Sequence, residues 1–295
     1  MRLRIVACAA LLAGACAGGH QAHPAGVYEA RVTTGHGPVQ VVWLDRASGR
    51  FRVRTVQGPA QGAHRFGTVT VFDGSRATTA FRGGITRYVG SAAFVADEAR
   101  PAAVDVLEQR LQGAPAPRGD TVTILRRSAT APPGLFQLGT GRVWGTVREV
   151  RPGRRVSGAG PQYWLGPTWS GRPPRYASVS TFSSGAEYSV TYPGISVDAG
   201  RRLGAPCAGT RVTLSDGTQA SVATLPIGAG AAFRCSTATK TGSSVSSVGL
   251  DVFAVEGVHT KTLVLVTTPD ATITLAGTGV TPATATSIAR ALRPV

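Results

Sequence analysis

From Val27 onward, apolar and polar residues alternate in short runs broken by turn formers. A period of two marks Val27–Thr33, Val39–Leu44, Phe51–Val56, Gly67–Phe72 and Arg76–Arg82 as strands. In Phe51-Arg52-Val53-Arg54-Thr55-Val56 the arginines alternate with apolar residues, which predicts one face toward water and the other toward a core. Asp73-Gly74 between two β-prone runs predicts a type I′ hairpin, whose two central residues want positive φ. Strands joined this closely make an antiparallel meander. The period then lengthens. Asp97-Glu98-Ala99-Arg100-Pro101 supplies first-turn acids and a proline, Val104, Leu107 and Leu111 form one apolar stripe, and Gly113 is the stop. This helix should lie across the apolar face of the meander, since neither element buries its own face alone. Thr121–Leu125 returns as a strand.

Residues 128–175 change texture: Pro132-Pro133-Gly134, Pro152-Gly153, Gly160-Pro161, Gly166-Pro167 and Pro173-Pro174 punctuate the stretch, and a boundary is expected there. Yet Trp144, Tyr163, Trp164 and Trp169 lie within it and need something to pack against. Strand patterns resume at Tyr176–Phe182, Ala186–Tyr192, Thr210–Leu214, Gln219–Leu225, Leu250–Val255, Thr260–Thr267 and Ala271–Leu275, and Thr281-Pro282 opens a last helix through Leu292. The expected fold class is α+β: mostly antiparallel β with one or two helices packed on a curved sheet, in two similar halves. The divisions are a signal and modified cysteine (1–16), a tether (17–24), a meander plus helix (25–130), a Gly/Pro/aromatic-rich connection (131–175) and a second β-rich domain with a C-terminal helix (176–295). Val69–Thr78 and Val212–Ser221 echo each other, as a duplicated unit or any two Asp-Gly hairpins would.

The first residues add an address. Arg2 and Arg4 precede a short uncharged apolar run, and Ala13-Gly14-Ala15 leads into Cys16, as in an export signal. The run is too short to span a bilayer, which needs about 20 apolar residues. Leu12-Ala13-Gly14-Ala15-Cys16 resembles the lipobox of bacterial lipoproteins, which implies acylation of Cys16 and anchoring to the outer face of the cytoplasmic membrane; plain secretion with a cut near Ala15 is the alternative. With Cys8 removed and Cys16 modified, Cys207 and Cys235 remain, and in an oxidising compartment one pairing is open to them.

Composition narrows the function further. The formal net charge is +16, carried almost wholly by arginine, and it favours acidic polymers or anionic headgroups. The arginines are spread along the chain, and no helix or aromatic-bearing strand carries a basic stripe, so nucleic acid is not expected as a partner. No metalloprotease, nucleophile-elbow, Walker or calcium-loop motif is present. The close acids Asp97-Glu98 and Asp105 with Glu108 read as surface charge on a helix. Neither catalytic residues, a metal nor a cofactor are expected, and the protein reads as non-enzymatic.

A meander after a lipobox, with Phe51-Arg52-Val53, then Val71-Phe72-Asp73-Gly74 and a helix over the sheet, resembles the bacterial lipoprotein-carrier superfamily across about residues 25–130. That resemblance implies a half-barrel closed by helices around an apolar cavity, and binding of a lipid or other amphipathic envelope molecule. Trp43, Phe51, Phe66, Phe72, Phe81 and Tyr88 would then line the cavity or fill a core; alternation does not distinguish the two. The other reading is an envelope protein–protein sensing or scaffolding module that makes contact through Tyr163, Trp164, Trp169 and Tyr176, aromatics being enriched at contact surfaces.

Overall fold

The computed structural model describes residues 23–35, 37–58, 66–116, 119–183, 185–201, 209–226, 234–239, 242–247 and 262–295; residues 225, 226, 234–239 and 242–247 are described by backbone alone. The meander runs through six strands: β1 (Val27–Thr33), β2 (Val39–Asp45), β3 (Phe51–Gln57), β4 (Val69–Phe72), β5 (Ala77–Phe81) and β6 (Gly84–Val89). Helices α1 (Ala92–Glu98) and α2 (Ala102–Leu111) follow, and β7 (Thr121–Ser128) returns to pair with β1. The chain continues through β8 (Arg142–Val150), β9 (Tyr163–Trp164), β10 (Tyr176–Phe182), β11 (Gly185–Tyr192), β12 (Ile195–Arg201), β13 (Thr210–Thr213) and β14 (Gln219–Pro226). Last come β15 (Arg234–Thr239), β16 (Gly242–Ser247), β17 (Thr262–Thr267), β18 (Ala271–Ala276), α3 (Ala285–Ala291) and β19 (Arg293–Pro294).

The result is a mixed α+β fold with a large, mostly antiparallel sheet and a few short helices. Fifteen strands form one ladder, from β13 at one edge through β14, β17, β18, β12, β11, β10, β8, β6, β5, β4, β3, β2 and β1 to β7 at the other. Among the described ladders, β6–β8 alone is parallel. A parallel pair needs a crossover, and here α1, α2 and the route out to β7 supply it.

Residue alternation assigns each side chain to one of two faces. On the helix face of the meander, Tyr28, Ala30, Val42, Leu44, Phe51, Val53 and Phe72 meet Phe94 and Val95 of α1 and Val104, Leu107 and Leu111 of α2. Leu107 and Leu111 are fully buried, each contributing about 1.5–3 kcal/mol of transfer free energy. On the reverse face Val71 and Val27 form a smaller cluster with Phe136, joined by Trp43, Leu135 and Leu138. Beyond β8 the main core changes sides. Val179, Tyr188, Val190, Val197, Ile273 and Leu275 project from the reverse face, against Ile288, Ala289 and Leu292 of the α3 region and against the 159–165 segment. Tyr192 anchors that segment: its hydroxyl accepts from Leu165 N at 3.1 Å and donates to Gly166 O at 2.7 Å.

Several expectations need correction. The single helix over 97–113 is two, because Pro101 disfavours a helical Arg100 and has no N–H to continue α1; it stands instead at the N-cap of α2. Arg100 at this break bonds Asp105 and Glu108 of α2. The Asp73-Gly74 hairpin forms, but its central pair is Gly74-Ser75: Asp73 N bonds Arg76 O at 3.0 Å and Gly74 has φ 106°, while Ser75 does not take positive φ. That matches a type II′ turn, with glycine first, rather than type I′. β6, β8, β9, β12, β15, β16 and β19 have no counterpart among the expected strands, while the run Leu250–Val255 lies outside the described residues.

The disulfide and the membrane anchor are also corrected. Among the described residues there is no disulfide bond and no helix long and apolar enough to cross a membrane. Cys235 stands in the β15–β16 ladder opposite Ser246, while Cys207 and Cys16 lie outside the described residues.

Candidate functional site

Two features of the helix face lie beyond the α2 core. The first is an aromatic strip. Phe81 of β5 is opposite Gly84 of β6, and Phe182 of β10 is opposite Gly145 of β8. The β6–β8 register slips between Ile85 and Thr86, leaving Trp144 as an extra residue in β8. Its indole lies on Gly84, where a Cβ would fall 2.0 Å from Trp144 Cδ2; likewise a Cβ on Gly145 would fall 2.4 Å from the Phe182 ring. Two glycines thus let two rings lie flat on the sheet. Trp144 remains 46% exposed and Phe182 39% exposed, high values for such large apolar side chains. The Arg82 guanidinium stands 5.5 Å from the Phe81 ring centroid, in cation–π range.

The second feature is polar. Register places Glu149, Ser178, Ser189 and Asp198 in one row across β8, β10, β11 and β12, with Ser180 opposite Glu187 one step along. Helix α1 crosses here. Ser91 Oγ caps it by accepting from Phe94 N at 3.3 Å, Glu149 Oε2 accepts from Ser91 N at 2.6 Å, and Phe94 meets Tyr176 edge-on with ring centroids 5.3 Å apart. Glu98 stands one turn beyond Phe94 and Val95 and so follows them toward the sheet. Burial, then the Asp198 and Asp97 carboxylates, push its pKa up to about 7. Burial also raises Asp198, against the hydrogen bonds it takes from Ser189 and from Ser196. Burial and then Asp198 raise Glu187, whose side chain lies along Gly200. The Tyr176 phenol is pushed well above its ordinary value by burial, then by Glu98 and Asp97. Tyr88, also raised by burial, shares a 3.2 Å hydrogen bond with Thr79.

Ser178 lies in the middle of this row, fully buried, and its Oγ has no hydrogen-bond partner. An open groove of about 530 Å³ runs alongside, between α1 and the start of β10, lined by Phe94, Asp97, Glu149, Arg175 and Tyr176 among others. The arrangement favours positively charged donors. Among the described residues, no three His, Cys, Asp or Glu side chains come close enough to share a metal ion.

The aromatics singled out from the sequence are spread over the molecule. Phe51 and Phe72 are buried beneath the helices with ring centroids 5.5 Å apart. Trp43 is half-buried on the reverse face, Phe66 is 64% exposed, Phe81 joins the strip and Tyr88 is half-buried on the helix face. Tyr163 is buried in β9. Trp164 covers Gly153, and Trp169, bridged to Arg172, packs partly against the same core. Tyr176 sits beneath α1. The residues missed are Phe182 and Trp144 as a pair, and the set Glu98, Ser178, Glu187 and Asp198. The glycines opposite Phe81 and Phe182 were the available signal for the pair; for the set, only Glu98, at helical spacing from Phe94 and Val95, gave one.

Compared with known proteins, the chain matches no family model and no curated protein.

Proposed function

We propose that this protein is an exported, non-enzymatic binding module that docks an acidic segment of a partner protein on the strip Phe81–Trp144–Phe182. The observation that carries this reading is the pair of half-exposed rings held flat over Gly84 and Gly145. Aromatic anchors with few rotatable bonds lose little entropy on contact and are enriched where binding energy concentrates. Arg82 beside the strip and the formal +16 of the chain favour an acidic partner and give the encounter a salt dependence. The lipid-carrier reading has less support, since Phe51 and Phe72 are packed in the core and Trp43 belongs to the reverse face.

Selection from a random displayed peptide library tests the proposal. Acidic peptides bearing an aromatic or large apolar residue should be recovered. Their affinity should fall at least tenfold with Trp144→Ala or Phe182→Ser, and should weaken as NaCl rises from about 50 to 500 mM. Recovery of peptides whose binding ignores both substitutions overturns it.

A further inference from the structure

We infer that the polar row around Ser178, faced by Glu98 of α1, is a binding site for a linear aliphatic di- or polyamine. The carboxylates come from three elements: Glu98 from α1, Glu187 from β11 and Asp198 from β12. They stand beside Ser178, Ser180 and Ser189, and no arginine or lysine occupies the row that holds Ser178. The nearest cation in sequence, Arg100, is committed to Asp105 and Glu108; Arg175 reaches only Asp97, at 3.9 Å. Partly desolvated carboxylates without a counter-charge are costly, and a bound cation removes that cost.

The kind of cation follows from spacing and from the unused acceptor. No three acidic side chains here are close enough to chelate one ion, which disfavours a compact metal and favours charges carried on a chain. A primary ammonium brings three N–H donors. One of them satisfies the Ser178 Oγ, buried without a partner, while the others meet carboxylate oxygens. The rings of Tyr88 and Tyr176 offer the cation or its methylenes an aromatic surface. The groove between α1 and β10, where Asp97, Glu149 and Tyr176 stand with the paired Arg100 and Arg175, gives an approach from solvent. This site is separate from the aromatic strip, so the two proposals fail independently.

Spermidine is the probe, titrated into the full chain in 150 mM NaCl at pH 7.5 and read by thermal unfolding and by calorimetry. A saturable rise in Tm of several degrees is expected, at concentrations where MgCl2 gives none. Asp198→Asn should weaken the midpoint at least tenfold, and Ser178→Ala should weaken it several-fold. Glu98→Gln, a near-isostere that removes a costly charge and so keeps the fold, should also weaken it. Trp144→Ala should leave it unchanged. Absence of a saturable shift, an equal response to MgCl2, or full retention of the response in both Asp198→Asn and Glu98→Gln overturns the assignment.

Discussion

The two ends of the long sheet solve the same packing problem on opposite sides. Around β1–β6 the helix face is the dry one, closed by α1 and α2, and the residues opposite Phe94, Leu107 and Leu111 are Tyr28, Val42, Leu44, Phe51 and Phe72. Around β10–β12 the dry face is the reverse one, closed by α3 and the 159–165 segment, while β17 and β18 are buried on both faces. A strand alternates its side chains, so one continuous ladder can serve both cores only if some strands exchange which parity is apolar. The exchange happens across β8, β10 and β11. Val147 still points into the first core, but Val179 and Val190 already point into the second. On the helix face those strands then offer Ser178, Ser180, Glu187 and Ser189, which neither core needs. The polar row is therefore a product of the changeover, and this is where chemistry can be placed without opening either core.

The largest expected effect tests whether the two cores are one cooperative unit. Leu107→Ala in α2 and Ile288→Ala in α3 each remove a buried aliphatic side chain, and each should cost about 2–5 kcal/mol. Because the β6–β8 and β8–β10 ladders join both cores in one sheet, calorimetry should show one transition lowered by either substitution. Two transitions, each responding to only one variant, would separate the cores and break the comparison.

Much of the first core was legible because its sequence is locally consistent. Phe51-Arg52-Val53-Arg54 alternates cleanly and Leu107 and Leu111 share a helix stripe, so period alone assigned their faces. The Tyr176–Phe182 strand was readable in the same way. β8 was not: it lies in a stretch punctuated by glycine and proline, and the bulge at Trp144 interrupts its alternation. Nor was the polar row. Ser178, Glu187 and Asp198 are joined only by ladder register, and Glu98 meets them only because Pro101 ends α1 where it does. Glu98 therefore read as surface charge, since a single sequence does not show what its helix crosses.

A middle-sized effect sharpens the comparison by titration. The folded-state pKa of Glu98, about 7, is above its ordinary value of 4.5, so the folded protein holds a proton that the unfolded chain releases. That contribution is fully present below about pH 4.5 and is lost as pH rises through about 7. Asp97, Asp198 and Tyr176 surround the group, with Tyr88 nearby, and the neighbouring carboxylates act in the same direction as burial. Glu98→Gln should flatten the slope of stability between pH 5 and 7.5, leaving the variant about 1–2 kcal/mol more stable than wild type at pH 7.5. Chemical denaturation across that pH range checks this. An unchanged slope would mean that Glu98 is solvated, and the polar row would lose the carboxylate that faces it from α1. Bound spermidine should flatten the same slope in the wild type, because a cation holds the carboxylate ionised.

The smallest expected effect concerns how α1 is held over the changeover. Ser91 is used twice: its Oγ accepts from Phe94 N, and its own N–H donates to Glu149 Oε2 on β8. Ser91→Ala removes the first bond and keeps the second, so the helix loses its cap but not its attachment to the sheet. A cap of this kind contributes about 0.5–1 kcal/mol. Helix α1 has only seven residues, with Phe94 and Val95 as its buried contacts, so fraying of its first turn should reach Phe94 and its edge-on contact with Tyr176. Hydrogen exchange should therefore quicken at Phe94 and Val95 while the amides of Val190 and Val197, in the other core, keep their protection. Equal loss of protection at both places would show that α1 holds both cores, making the changeover region the keystone of the sheet rather than the place where its two cores part.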